Sequence, residues 1–324
     1  MSMEWTSTGT ATALIVPTLN AGSLWEGWLE AFFAQSVRPD RVLIVDSSSE
    51  DRTADISKSR GFDVYRIRRS EFDHGGTRQL AVRLVAGAEI IAFCTQDAIF
   101  ADSYALERLF SAFDDPAVGA AYGRQLPRQG AAAIEAHARV FNYPKESAVT
   151  SIQDVGRLGI KTAFISNSFA AYRRAALESV GGFPSAVIFG EDMYVAAKML
   201  LDGWSIAYRA DAHVFHSHAY RVLEEFRRYF DVGVLHAREG WLRQHFGEIG
   251  GEGRRFVKSE MNYLLRRAPW LIPSAVVRTA GKLLGYQLGR AEEALPRCVK
   301  RRLSMHAGYW GRKPYRMDSA APRA

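Results

Sequence analysis

The chain has 324 residues, of which 48% are hydrophobic, enough for a large buried core and too many for a disordered or fibrous protein. Its only cysteines, Cys94 and Cys298, lie far apart, which excludes a disulfide framework and a CxxC zinc site and fits a reducing cytoplasm. The net charge of +7 gathers late in the chain, at Arg254-Arg255, Arg266-Arg267 and Lys300-Arg301-Arg302, leaving nucleic acid, an anionic membrane surface or plain solvation open; no apolar run has spanning length and no leader pattern opens the sequence.

Residues 1–10 are polar and are expected to fray. Ala11–Pro17 reads as a first strand, closed by Pro17-Thr18-Leu19-Asn20-Ala21-Gly22, after which Leu24, Trp25, Trp28, Leu29 and Phe32 recur at helical spacing. Arg41–Val45 forms a second strand ending in Asp46, and a polar loop, Ser47–Thr53, leads into a short helix. Val64–Ile67 is a third strand, followed by Glu71-Phe72-Asp73-His74-Gly75-Gly76-Thr77-Arg78 and a helix through Ala86. Ala88–Ala101 then carries a run of Ile, Phe and Cys that ends abruptly in Gln96 and Asp97, the pattern of a strand buried on both faces. Strands alternating with helices at this spacing predict an α/β fold with a mostly parallel sheet.

In such sheets ligands bind at the carboxyl ends of the strands, so Asp46, His74 to Arg78 and Asp97 are three candidate positions that the topology could bring to one edge. Asp46 is suited to a base N–H or a ribose hydroxyl. Gly75 and Gly76 allow close backbone approach, Arg78 offers a guanidinium to a diphosphate, and Asp97 can hold a metal or a phosphate-bearing ligand. Each also has a plain structural reading, as turn, cap or exposed charge. No GxGxxG follows the first strand and no GxxxxGK[ST] is present, which argues against a dinucleotide oxidoreductase and a P-loop enzyme.

From residue 119 the pattern loosens. Gly119–Arg124 reads as a strand, Ala131–Val140 as a helix, residues 141–162 as an irregular loop, and Phe164–Tyr172 as a strand followed by a helix that Gly181-Gly182 stops. Glu191-Asp192 opens an amphipathic helix, where carboxylates also serve as caps. Trp204–Tyr208 is another strand leading to His213, His216 and His218, of which His216 and His218 fall on one face.

Taken together these residues resemble the inverting nucleotide-sugar glycosyltransferases of family 2, with a GT-A fold, over roughly residues 10–220. Val16-Pro17-Thr18-Leu19-Asn20 is similar to the family's opening strand, Val45-Asp46-Ser47-Ser48-Ser49 to its nucleotide-binding turn, Gln96-Asp97 to its metal-binding DxD strand end, and Gly190-Glu191-Asp192 to its ED catalytic motif. Phe72–Arg78, Thr95-Gln96-Asp97-Ala98, Gly285–Arg290 and Leu303-Ser304-Met305 narrow the resemblance to bacterial rhamnosyltransferases of O-antigen and exopolysaccharide assembly. The first DxD carboxylate is replaced here by Gln96 or Thr95.

The resemblance implies sugar transfer from a nucleoside diphosphate to an acceptor hydroxyl with inversion. It implies Asp192 as general base oriented by Glu191, and Asp97 with His216 holding Mg²⁺ or Mn²⁺. It implies a donor, dTDP-L-rhamnose favoured, held by Pro17, Thr18, Asn20, Asp46, His74, Gly75, Gly76, Arg78, Gln96 and Asp97. The implied layout is a GT-A domain at 10–220 (donor part 10–118, acceptor part 119–220), a helical C-terminal extension at 221–311 and a disordered tail at 312–324. A family-2 enzyme using a UDP-hexose, or a nucleotidyltransferase, remains open beside it.

In the last hundred residues Leu223–Phe246 reads as one or two amphipathic helices, and Ala275–Leu288 as an apolar stripe broken by Arg278, Lys282 and glycines. It is too polar to span a bilayer; a helical cap, a dimer contact or a membrane-surface segment all fit. Because acceptors in this family are carried on polyprenyl diphosphate, a cytoplasmic protein in peripheral contact with the anionic inner face of the plasma membrane is implied. A nucleic-acid-binding role rests on charge alone, since no zinc-finger spacing, helix-turn-helix signal or RNP motif accompanies it.

Overall fold

The computed structural model describes residues 10–185, 187–247 and 250–311; the expected frayed start, residue 10 apart, and the expected disordered tail lie outside the described residues. Nine strands form one sheet: β1 (Thr12–Thr18), β2 (Arg41–Asp46), β3 (Asp63–Arg66), β4 (Ile90–Cys94), β5 (Ile99–Phe100), β6 (Val118–Leu126), β7 (Ala148–Thr150), β8 (Phe169–Arg173) and β9 (Ser205–Phe215). Their order is β3-β2-β1-β4-β8-β6-β9-β5, with β7 paired to β9.

The first four strands pair in parallel, as alternating strands and helices require. Beyond them the sheet is mixed. β8 runs antiparallel to both β4 and β6, while β6 and β9 are parallel. Four of the eight pairings are antiparallel, which corrects the expectation of a mostly parallel sheet. β8 is short because residues 164–168 turn away from the sheet, and β9 is longer than expected because it continues through His213 to Phe215.

β1 is buried on both faces. Ala13 and Ile15 enter the core on one side, with Val195, Met199 and Phe93; Leu14 and Val16 enter the other, with Trp25, Trp28 and Phe32. Trp25, Trp28 and Phe32 recur at helical spacing on helix Leu24–Phe33 and stack in series, with centroid separations of 4.7 and 5.4 Å. This packing fixes the carboxyl ends of β1, β2 and β4 along one edge, where the candidate residues stand.

The chain after residue 221 is helical. Helices Val222–Arg238 and Ile272–Arg290 lie close together because glycines line their contact. A Cβ on Gly289 would stand 2.0 Å from the Phe230 carbonyl oxygen, one on Gly285 2.4 Å from that of Phe226, and one on Gly233 2.3 Å from that of Tyr286. The glycines that interrupt the apolar stripe are therefore what lets the two backbones meet. Among the described residues no helix is long and apolar enough to cross a membrane.

Candidate active site

A cavity of about 940 Å³ opens at the strand ends. Pro17 and Thr18 line it from β1, Ser47 from the turn after β2, His74 and Arg78 from helix His74–Leu84, and Thr95, Gln96 and Asp97 from the turn after β4. Met305 and His306 close it from the C-terminal region, which brings the two ends of the chain to one site. The His306 ring lies 4.8 Å from that of His74 and stacks on Phe189 at 6.1 Å. Asp231, buried in helix Val222–Arg238, accepts hydrogen bonds from the backbone N–H groups of Met305 (2.9 Å) and His306 (3.1 Å) and so holds this wall in place.

Several sequence candidates are engaged by the protein itself, and of these only Gln96 also lines the cavity. Asp46 is fully buried; its carboxylate accepts from the hydroxyls of Thr18 (3.1 Å) and Ser49 (2.5 Å) and from the Ser49 N–H (3.0 Å). It sets the turn that presents Ser47. Asn20, in the left-handed region at φ 47°, accepts from the Glu50 N–H at 2.8 Å and braces the same turn. Gln96, which with Thr95 is one of the two positions expected to replace the first DxD carboxylate, clasps the Leu19 backbone in both directions, accepting from its N–H at 2.8 Å and donating to its carbonyl at 3.0 Å. Gly75 is needed for packing against protein: a Cβ there would sit 1.8 Å from the Pro184 carbonyl oxygen. Gly76 donates its N–H to the helix-capping Asp73 at 2.6 Å.

A second cavity, of about 720 Å³, is lined by Asp192, His216 and His218 and by the C-terminal helices. Where the two cavities meet, Asp97 faces both histidines, with Oδ2 3.4 Å from His216 Nε2 and 3.7 Å from His218 Nε2. One ligand atom from each of the three residues falls within 4.8 Å of the others. The hydrogen bonds around His216 test whether a cation fits. Gln125 Oε1 lies 2.8 Å from His216 Nδ1 and also receives Arg139 Nη1 at 2.7 Å, so it acts as an acceptor and Nδ1 carries the ring proton. Nε2 therefore turns a lone pair toward a carboxylate oxygen. Two facing acceptors at that distance call for a positive charge between them.

A doubly protonated ring is disfavoured, because burial lowers the pKa of His216 and takes that of His218 down to about 4. Burial alone would raise Asp97, but Thr95 beside it and, once acid has protonated them, His216 and His218 hold it well below the usual carboxylate range. Two neutral imidazoles and one carboxylate are a suitable divalent-cation set. Arg128 stands next to it, donating to the Asp97 carbonyl at 2.5 Å.

Glu191 and Asp192 begin helix Glu191–Leu201, after Gly190 at φ 76° turns the chain. Glu191 is buried with Arg78, Nη1 to Oε1 2.9 Å, and also accepts from Asn167 Nδ2 at 3.0 Å; Asn167 in turn accepts from the Tyr172 hydroxyl at 2.8 Å. Burial would raise Glu191, yet Arg78 and His74 keep it below its ordinary value. Asp192 is raised, first by burial and then by the Glu191 charge, against hydrogen bonds from the N–H groups of Asn167 (3.1 Å) and Met193 (2.9 Å). Residues 164–168 form a loop instead of the expected strand because Asn167 has to reach both carboxylates. One carboxylate is thus charged and paired, and its neighbour has its pKa raised to about 6.

The model of glycosyl transferase family 2 matches residues 13–181, more than half of the chain and every strand of the sheet except β9. The chain belongs to that family. This glycosyltransferase is 48% identical over 303 residues to the O-antigen chain rhamnosyltransferases RfbN of Salmonella typhimurium and WbaN of Salmonella anatum, matches that cover 93% of this chain and 96% of each relative. Its fold is similar to that of a mannosyltransferase of Pyrobaculum calidifontis solved with GDP-Man and Mn²⁺ (TM-score 0.54, 20% identity, 94% of this chain and 86% of that one). It is also similar to Staphylococcus aureus TarS 1–349 (TM-score 0.53, 17% identity, 88% and 91%).

Within the glycosyltransferase site the structure adds residues that strand-end reasoning does not find. Arg128, Gln125 and Asn167 lie in the loosely patterned middle of the chain, and Arg228 and His306 in the helical region, which has no strand end to mark them. Arg78, expected to meet a diphosphate, is instead committed to Glu191. Removing one partner of a buried ion pair leaves an uncompensated charge, at a cost of about 3–5 kcal/mol. Arg78→Met is therefore expected to lower the midpoint of thermal unfolding by several degrees, read by calorimetry, more than Arg128→Met does.

Proposed function

We propose that this enzyme transfers L-rhamnose from dTDP-L-rhamnose, with inversion, to a hydroxyl of a polyprenyl-linked saccharide in O-antigen assembly. Its 48% identity to two O-antigen chain rhamnosyltransferases supports the sugar and the pathway. The observation that carries the chemistry is the position of the Asp97–His216–His218 cluster between two cavities, with Asp192 lining the second. On this reading the donor occupies the larger cavity and the acceptor the other.

The acceptor hydroxyl approaches Asp192, which takes its proton as the new bond to the anomeric carbon forms. The bond from that carbon to the diphosphate breaks, and the nucleoside diphosphate leaves with the electron pair. Asp97, His216 and His218 would hold Mg²⁺ or Mn²⁺, the imidazoles favouring Mn²⁺, and the cation would neutralise the leaving phosphates. Arg228 is the protein cation we assign to the same charge. Its side chain makes no hydrogen bond or ion pair among the described residues and is held over the rings of Phe189 (5.1 Å) and Tyr220 (5.8 Å). Thr18 and Ser47 face the nucleoside, with Asp46 fixing their turn.

We also propose that the helical region rests on the inner face of the plasma membrane. Leu265, Trp270, Val276, Val277, Leu283 and Leu284 are exposed there, and Trp270 is 73% accessible beside the exposed Arg266 and Arg267.

A donor screen tests the reading: turnover of dTDP-L-rhamnose above UDP-glucose, UDP-galactose and GDP-mannose is expected, and a preference for any of the others overturns the sugar assignment. Asp192→Asn should keep donor affinity while losing about 10²–10⁴-fold in kcat. Asp192 must be ionised to accept a proton and its pKa is raised to about 6, so the wild-type rate should fall as pH drops through that value, well above the range of an ordinary aspartate. Isothermal titration of the dTDP product should show that Asp97→Ala and Arg228→Ala both weaken binding about tenfold or more, and that only Asp97→Ala removes its Mn²⁺ dependence. Co-sedimentation with vesicles rich in phosphatidylglycerol at low salt should fall when Trp270→Ala is combined with Arg266→Ala and Arg267→Ala.

A further inference from the structure

The acceptor-side cavity contains a carboxylate for which the chemistry above has no use. Glu260, on helix Gly250–Arg267, is only 1% exposed and lines the same cavity as Asp192. Neither of its carboxylate oxygens has a hydrogen-bond partner among the described residues. The cations nearby are taken up elsewhere: Arg278 Nη1 lies 3.2 Å and Lys282 Nζ 3.6 Å from the two oxygens of Glu225. The same cavity holds a second group of this kind, His236, 3% exposed with neither ring nitrogen paired.

A buried carboxyl without partners costs several kcal/mol unless something polar meets it. Its two acceptor oxygens select what that can be: a fully ionised phosphate has no proton to give them, whereas the paired hydroxyls of a sugar ring can each donate to one oxygen. The wall beside it suits the rest of a sugar, since the half-buried Phe256 also lines the cavity and gives the C–H side of a pyranose an aromatic ring to pack against. All these residues lie beyond the stretch 13–181 that the family model matches, and they face helix Ala133–Asn142, which lies within it and supplies the opposite wall.

We infer that Glu260 is an acceptor-specificity residue that binds hydroxyls of a neutral sugar in the cavity it shares with Asp192. The inference rests on the proposed assignment of that cavity to the acceptor.

The test measures nucleotide release from dTDP-L-rhamnose with Mn²⁺, with and without octyl glucoside, octyl galactoside and octyl mannoside as soluble acceptors, for wild type, Glu260→Gln, Glu260→Ala and Asp192→Asn. At least one glycoside should accelerate release by the wild type; if none does, a neutral sugar is not the ligand of this cavity and the inference fails. Glu260→Gln should raise the KM for that glycoside about tenfold and Glu260→Ala more, with donor KM and acceptor-independent release within twofold of wild type. An acceptor KM unchanged within twofold, together with a higher unfolding midpoint, would mark Glu260 as an unpaired core carboxyl and overturn the assignment. Parallel loss of donor KM in Glu260→Gln would overturn it as well. Asp192→Asn separates the two levels: if it transfers to glycoside as fast as wild type, the placement of the acceptor beside Asp192 is wrong, whatever Glu260 does.

Discussion

The ion pair between Arg78 and Glu191 is the constraint on which the site depends. Both groups are more than nine-tenths buried, and such a pair gives little stability over well-packed apolar side chains, because desolvation offsets its attraction. What it gives is placement of charge. It ties helix His74–Leu84 to helix Glu191–Leu201 and, through Asn167 and Tyr172, to the start of β8. It also keeps a negative charge beside Asp192, which adds to burial, the larger cause, in raising that carboxyl to about 6. The pair therefore helps to set how readily Asp192 exchanges a proton.

The cluster of Asp97, His216 and His218 follows a similar logic. Asp97 comes from the end of a parallel strand and His216 from the end of β9, and β6 lies beside β9, so Gln125 of β6 can orient the His216 ring. A switch from parallel to antiparallel pairing midway across the sheet brings these ends together. The helical region then completes both cavities, and the glycine contacts between its two long helices set how closely it can fold back.

Much of this was legible in the chain. β1, β2 and β4 could be read because they are apolar runs ending in polar turns; Asp97 could be singled out by its strand end, and Asp192 and His216 through the family resemblance, since position alone favoured a cap and a surface histidine. Gln96 and Gly75 were legible as positions but not in their contacts: whether an amide faces a ligand or its own backbone, or a glycine a substrate or a proline carbonyl, depends on what folds against it from over 70 residues away. Arg78 and Arg228 show the same limit. Both are arginines near the starts of helices, and only the tertiary partner, a glutamate for one and two aromatic rings for the other, separates a neutralised cation from a free one. The mixed half of the sheet was hidden because β8 is mostly Phe, Ala and Tyr, a composition that suits either direction.

The grip of Asp231 on the backbone of residues 305 and 306 has a consequence for how the molecule comes into being. Asp97, His216 and His218 all precede residue 219, whereas the wall carrying Met305 and His306 is synthesised far later. A nascent chain between those two stages has the larger cavity open on one side. Only the arrival of residues 305 and 306, caught by Asp231, screens that side from bulk water.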